Sequence, residues 1–536
     1  MRTLTLLLAS VISCAAADRF DVVVYGGTAG GVIAAVSSAR EGLKTALIEP
    51  TKHIGGMVSG GLGFTDFGKK EVIGGYSLEF YFRVGRYYGM SQYGNEVSWY
   101  HEPHVAEQIF RQMLREANVT VVEGKRLKEK GGVRKTGLKL TEIEMEDGAS
   151  YAADIFIDSS YEGDVMAQSG VSYTWGREGT AQYGETLAGV RDKTPFHQFL
   201  VDVNPRDANG NLLPEVSANK PPAPGSADKL VQAYNYRMCF SNVAGKQVAF
   251  PKPAGYDPKR YEILLRWIEA RTAKEGKAPG INTVLKVDVL PNGTSDVNNN
   301  GAVSTDYIGG SWEYPDATYA KRAEIWKAHK DYIAGLLYTL ANNDRIPKAL
   351  HDEVNKWGLC KEEFVDNDYW PYQLYIREAR RMVGEYVAIQ KDLQTELTKP
   401  DPIGMGSYNS DSHNIERIVD EQGLARNEGD MQVGVKPYQI PYRVLTPKKS
   451  EAVNLLVPVC FSASHVAYSS MRMEPQYMIM GQAAGVAARL AIKGKTAVQD
   501  IDTKALITVL KRNGATMEYV PSAQTAAVNA IRKFVK

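Results

Sequence analysis

Between residues 20 and 49 the chain reads as a short run of structure with few alternatives. Phe20-Asp21-Val22-Val23-Val24-Tyr25 is β-branched, apolar and bounded by glycine, which favours a strand. Gly26-Gly27-Thr28-Ala29-Gly30-Gly31 follows, then an alanine-rich helix to about Arg40, a stop at Gly42, and a second strand at Thr45-Ala46-Leu47-Ile48-Glu49. Strand, turn, helix and strand in about thirty residues form a βαβ unit, which demands parallel pairing. Aligned on Gly27 and Gly30, the turn matches G-x-G-x-x-G with Tyr25 in the first glycine's place and Gly26 beside it to make the tight turn. Gly27 lacks a Cβ that would keep the backbone from a pyrophosphate, and Gly30 lets the helix pack closely on the strand. Thr28 and Ala29 open that helix, whose free amides suit an anion. Glu49 ends the second strand, where a carboxylate takes ribose hydroxyls. The expectation is dinucleotide binding through Gly26, Gly27, Thr28, Ala29, Gly30 and Glu49.

Three further segments favour FAD over NAD. Ile54-Gly55-Gly56-Met57 lies just after the second strand, where a chain can run along a flavin. Ile155-Phe156-Ile157-Asp158-Ser159-Ser160 has the form of a strand passing the pyrophosphate, with Ser159 at its end. Met480-Gly481-Gln482-Ala483-Ala484-Gly485 lies early in a helix expected from Gln476 to Lys493. There Gly481, Ala484 and Gly485 permit close approach to a ribityl chain, and the helix dipole can stabilise a reduced ring. No second G-x-G-x-x-G occurs, so a separate NAD(P)H domain is not expected.

Elsewhere the pattern predicts a helix over 105–117, a strand at Val119–Val122, and an alternating hairpin between Leu127 and Ile157 that turns at Asp147-Gly148. Residues 170–300, rich in Pro, Asn and Gly, read as an irregular lobe; helices are expected over 317–340 and 370–393, and a strand over 453–459. The resulting division is an export segment at 1–17, a first dinucleotide-fold part at 18–170, a cap or substrate lobe at 171–430, a second part at 431–495 and a helical tail at 496–536.

The segments VVVYGGTAGGVIAA, HIGGMVSGGLG, DSSYEGDVMAQSGVSYTWGRE, WPYQLYIREARRMVGEY and SASHVAYSSMRMEPQYMIMGQAAGVAA resemble the FAD-dependent oxidoreductase family of exported bacterial proteins, some labelled xanthan lyase-like. The resemblance implies an α/β fold: a discontinuous, glutathione-reductase-like (Rossmann-type) FAD domain with an inserted α+β cap. It implies FAD contacts near Gly27, Gly30, Glu49, Gly56, Val122 and Gly485, and carries no particular substrate.

Flavin chemistry on an alcohol or amine needs a base near the reacting C–H, and histidine titrates in the useful range. His465, between the late strand and late helix with Ser469, Ser470 and Arg472 nearby, is the first candidate; it could equally bond backbone in a buried loop. His413 is the second, oriented by Asp411 only if that loop folds back. His53 could approach the flavin or serve as an ordinary loop residue. On the expected 370–393 helix, Arg377, Arg380 and Arg381 share a face able to bind a carboxylate, or form a solvated charged face. Tyr161-Glu162-Gly163-Asp164 suits capping or cofactor contact better than glycosidase chemistry, and Asp296–Asn300 lacks the offsets of a calcium loop.

Composition removes other classes. Sixty-three basic against 62 acidic residues, net +1 over 536, leave no footprint for nucleic acid. Arg2, the apolar Leu4–Ile12 and Ala15–Ala17 form an export signal, implying a secreted or periplasmic protein; Val11–Cys14 alternatively resembles a lipoprotein box that would lipidate Cys14. No transmembrane segment is expected. Cys239, Cys360 and Cys460 remain, widely spaced and without a CxxC, which excludes a disulfide scaffold, a zinc ribbon, a cysteine-ligated iron–sulfur cluster and a redox dithiol beside the flavin, and no metal is expected. The leading expectation is hydride transfer to FAD from a polar extracellular small molecule, a sugar or uronate derivative, with an unspecified electron acceptor. Its rivals are a flavin-dependent reductase of an unsaturated acid, in which Arg377 or Arg472 matters more than His465, and a non-redox polysaccharide-binding or lyase-like protein.

Overall fold

A computed structural model describes residues 17–93, 96–521 and 524–535; residues 1–16 of the expected export segment, Cys14 among them, lie outside these. Strands β1 (Asp18–Tyr25), β2 (Thr45–Glu49), β3 (Thr120–Glu123) and β6 (Ser150–Asp158) lie in the order β3-β2-β1-β6 and run parallel. Val24 of β1 pairs with Leu47 on one side and Ile157 on the other. Val22, Val23 and Val24 are fully enclosed, which explains a continuous apolar run in place of alternation. Strands β4 (Val133–Thr136) and β5 (Lys139–Glu144) extend the β6 edge as an antiparallel meander.

Helix α1 (Ala29–Arg40) crosses from β1 to β2, and α2 (Pro103–Glu116) leads into β3. The fold is thus α/β, built on a parallel sheet. A second sheet is formed by β7 (Met238–Ser241), β8 (Gln247–Val248), β9 (Leu285–Val289), β10 (Thr294–Asn299) and β11 (Gly358–Cys360), in the order β9-β10-β7-β11-β8. Its long helical neighbours are Glu262–Glu275 and α3 (Tyr319–Asn342).

Two elements differ from their sequence-based expectation. The 370–393 segment is not one helix: it is extended, with Arg381–Met382 pairing Tyr173–Thr174, and becomes helical only at Gln390–Gln394. Pro371 and Gly384 weaken a helix there, and every residue from Leu374 to Met382 is buried, which an amphipathic surface helix could not achieve. The late strand shrinks to β12 (Leu455–Leu456), parallel to β6; Pro458 has no amide with which to continue the ladder.

After β12 come α4 (His465–Met471) and α5 (Glu474–Gly494). Helix α5 lies backbone to backbone along α1. A Cβ on Gly481 would stand 2.1 Å from the Gly30 carbonyl oxygen, one on Gly485 2.6 Å from the Ser37 Cβ, and one on Gly30 3.0 Å from the Tyr477 oxygen. Gly30 therefore accommodates α5, and its expected role against the strand falls to Gly31, whose Cβ would meet the Gly26 carbonyl oxygen. No described helix is long and apolar enough to cross a membrane.

Candidate functional site

The β1–α1 turn opens into a cavity of about 330 Å³, whose lining includes Tyr25, Gly26, Thr28, Glu49, Ser160 and Tyr161. Gly26 takes φ +95°, and a Cβ there would strike the Ser160 backbone nitrogen at 2.6 Å, so the turn needs glycine to pass β6. Thr28 caps α1: its Oγ1 accepts from the Gly31 amide at 3.1 Å and donates to the Ser159 carbonyl at 2.8 Å. Ala29 is enclosed in the first turn of the helix. Glu49 accepts from the Gly27 and Thr51 amides, both at 2.7 Å. Burial pushes its carboxyl up, against the pull of those bonds. Its oxygens keep lone pairs for ribose hydroxyls.

Gly55 and Gly56 lie against this turn. The Gly55 amide donates to the Gly27 carbonyl at 2.7 Å, and a Cβ on Gly56 would come within 2.5 Å of the Tyr161 hydroxyl. That hydroxyl accepts from the Met57 amide at 2.9 Å and donates to Glu474 at 2.7 Å, joining the turn to the start of α5. Ser159 is enclosed, and its hydroxyl has no hydrogen-bond partner. Val122 packs against the sheet core instead of lining the cavity, and Arg126, just beyond β3, lines it instead. From α3, Arg322 and Trp326 close the opposite wall.

A flavin dinucleotide fits these residues. Arg126 brings a cationic group to a cavity that also holds the α1 N-terminus, while Arg322 on its wall is paired with Asp164. At the start of α5, Glu474 Oε2 and both polar side-chain atoms of Gln476 are buried without hydrogen-bond partners, as expected where a polar heterocycle would supply them. Burial pushes Glu474 up to about 8. Gly481, Ala484 and Gly485 lie further along α5 than this polar start, and the two glycines face α1, not the cavity.

Three of the four candidate catalytic residues meet in one cluster. His413 Nδ1 lies 2.6 Å from Asp306 Oδ2, and its Nε2 lies 3.6 Å from Asp411 Oδ2, so the loop does fold back. Arg377 Nη2 stands 3.0 Å from Asp306, and its guanidinium carbon 4.8 Å over the Tyr375 ring. Arg472 donates to the Tyr375 hydroxyl at 3.1 Å and to the Asp411 carbonyl at 2.8 Å. Burial and Arg377 push His413 down, but Asp306 and Asp411 outweigh them and hold it above the usual histidine value. For Asp411, burial is overcome by His413, Arg472 and Arg377, which keep it well below the usual carboxylate range. Arg377 Nε and Arg472 Nε have no hydrogen-bond partner. A cavity of about 520 Å³ reaches His413 and Asp411, with Tyr408, Asn298, Asn299 and Asn300 on its walls.

His465 lies apart from this group. Its Nδ1 is 2.8 Å from Glu378, and its amide donates to Glu178 at 2.8 Å. Burial and Arg381 push it down to about 3, so it is a neutral, enclosed imidazole that lines neither cavity. The three arginines share no face. Arg377 goes to Asp306, Arg380 to Asp164 and Asp316, and Arg381 to Glu178 and Glu378, since enclosed guanidinium groups each need a carboxylate. His53 stacks on Tyr372 at 3.3 Å. Asp296 is paired with Arg237. Glu102, His104 and Glu363 bring ligand atoms within 4.8 Å of one another, but His104 is paired with Glu363, and Glu102 accepts from Tyr88 and Asn292.

The sequence reading missed Arg126, Arg322, Glu474 and Asp306. Of these only Glu474 carried a local signal, being at the α5 start. Arg322 lies on the expected 317–340 helix, and Asp306 just after the irregular 170–300 stretch, but no spacing tied either to the turn.

A family model described as FAD dependent oxidoreductase matches residues 21–510. No curated protein matches the chain. Among solved structures, OxyS anhydrotetracycline hydroxylase from Streptomyces rimosus is 12% identical over 34% of this chain and 36% of its own (TM-score 0.22). T. acidophilum thioredoxin reductase is 19% identical over 26% and 35% (TM-score 0.17). A geranylgeranyl bacteriochlorophyll reductase-like protein from Thermoplasma acidophilum is 10% identical over 97% of each chain (TM-score 0.35). The chain spans about a third of the length of the first two.

Proposed function

We propose, for a chain that belongs to the FAD-dependent oxidoreductase family, that it oxidises a hydroxyl group of a polar, carboxylate-bearing small molecule of the sugar-acid type, outside the cytoplasm. FAD is its cofactor, and when bound it supplies the hydride acceptor. The observation that carries the substrate reading is the convergence of His413, Arg377 and Arg472 on Asp306, Asp411 and Tyr375, beside the start of α5.

In this reading His413 holds a proton on Nδ1 toward Asp306 and takes the substrate hydroxyl proton on Nε2. Asp306 then stabilises the imidazolium and fixes its orientation, as a carboxylate does for a catalytic histidine. Arg377 and Arg472 donate to the substrate carboxylate through the N–H groups left without partners. Asn298, Asn299 and Asn300 provide donors and acceptors for further hydroxyls. His465 orients no substrate; its neutral ring packs within the Glu178–Glu378–Arg381 network.

The test is anaerobic. Purified protein should show flavin absorption and bleach with one or more of a panel of uronates, aldonic acids and neutral sugars. His413→Ala should retain flavin and lose about 10²–10⁴-fold in the bleaching rate. A panel that leaves the flavin oxidised ends the substrate proposal. The free guanidinium N–H groups also favour a second reading, reduction of an unsaturated acid. Reoxidation of the chemically reduced protein by such acids, lost in Arg472→Lys and kept in His413→Ala, would select it.

A further inference from the structure

Strands β7 and β11 are antiparallel neighbours with Gly358 opposite Ser241 and Leu359 opposite Phe240. Continuing that register one step sets Cys360 directly opposite Cys239. Residues opposite one another in an antiparallel pair place their Cβ atoms on one face at about 4.5–5.5 Å, close to the span of a disulfide. The two cysteines, both 1% exposed, pack together with Phe364. They are unbonded in the structure. Each thiol acts on the other's titration, Cys239 being pushed up and Cys360 held down. Cys460 takes no part, since its thiol faces the Ser160 and Tyr161 carbonyls at 3.5 and 3.3 Å.

We propose that Cys239 and Cys360 form a cross-strand disulfide in the exported protein, independent of the reaction at the flavin. The oxidant is a disulfide-carrying thiol oxidase of the kind that serves exported chains. The Cys360 thiolate attacks the oxidase disulfide, breaking its S–S bond and giving a mixed disulfide and one oxidase thiolate. Cys239, on losing its proton, attacks the Cys360 sulfur. The Cys239–Cys360 bond forms and the second oxidase sulfur leaves as a thiolate. The chain loses two electrons and two protons; the oxidase disulfide is reduced to a dithiol. The pair is enclosed in the finished fold, so exchange precedes closure of the second sheet. The bond then ties β11, which leads into the Arg377-bearing segment, to the middle strand of that sheet.

The full chain, with its export segment, is produced in a host that exports it, denatured without reductant and treated with iodoacetamide. Cys460 is expected to be alkylated, and the Cys239 and Cys360 peptides to be found joined by mass spectrometry, separating and alkylating only after dithiothreitol. Cys360→Ser is expected to leave Cys239 alkylated without reductant, and Cys239→Ser to do the same for Cys360. Because the reading is made on denatured protein, these outcomes hold even if a variant folds poorly. Alkylation of both cysteines in the unreduced wild-type chain, or a bond from either to Cys460 or to another molecule, overturns the proposal.

Discussion

Glu474 and His465 are enclosed side chains whose titration opposes folding in opposite directions. Glu474 is held up to about 8 by burial. Its contribution is therefore fully present below the ordinary glutamate range and is lost as pH rises toward 8, on the order of 5 kcal/mol over the whole span. In flavin-free protein, Glu474→Gln should flatten the decline of Tm between pH 5 and 9, since glutamine still accepts from Tyr161. An unchanged slope would show that another group sets it. His465 is held down to about 3, so its contribution is present above pH ~6.5 and is lost as pH falls toward 3. His465→Gln should flatten the acid side of the Tm profile while leaving the acid limb of the flavin-reduction rate in place. His413→Gln should abolish that limb, which lies above the usual histidine value because Asp306 and Asp411 face the ring. If His465→Gln moves the limb instead, the two histidines have been assigned the wrong roles.

These residues also mark what the sequence could and could not disclose. Gly26, Thr28 and Glu49 were legible because the βαβ unit fixes their spacing, and the bonds of Glu49 to Gly27 and of Thr28 to Gly31 lie within it. The partners of His413 and Arg377 were not. Asp306 lies 107 residues from His413, and no periodicity joins them. Adjacent Ser and Arg residues drew attention to His465, yet its partners Glu178 and Glu378 lie 287 and 87 residues away.

At the scale of elements, the seam between α1 and α5 depends on having no side chains at its closest points. Gly481→Ala puts a methyl group 2.1 Å from the Gly30 oxygen, so one helix must move. The expected cost is about 1–3 kcal/mol in urea unfolding, with flavin retention weakened because the β1 turn moves with α1. Gly42→Ala is the comparison: it has φ +85° and nothing within 4 Å. It should cost at most about 1 kcal/mol and keep the flavin. Equal flavin loss in both would show that the seam does not position the turn. Elements whose pattern arises from their own burial, such as β1, α1, α2 and α3, were readable from period and caps. The 370–393 segment was not, because Leu, Ala, Glu and Arg favour helix locally while the surrounding carboxylates draw Arg377, Arg380 and Arg381 in separate directions.

For the whole molecule, FAD couples distant parts of the chain, since its cavity is walled by residues from Tyr25 to Gln373 and leads through Tyr161 to Glu474. Flavin-stripped protein should therefore melt lower and recover as FAD is added, by about 2.7 kcal/mol at a hundredfold excess over Kd. A melting curve indifferent to FAD would contradict the assigned cavity. The seam of α1 against α5 also has a temporal meaning. The turn is made first in synthesis, but the helix that braces it is among the last segments to appear. A ribosome thus presents an unbraced cradle throughout most of elongation, and the coloured enzyme can arise only after its carboxyl-terminal stretch has been delivered.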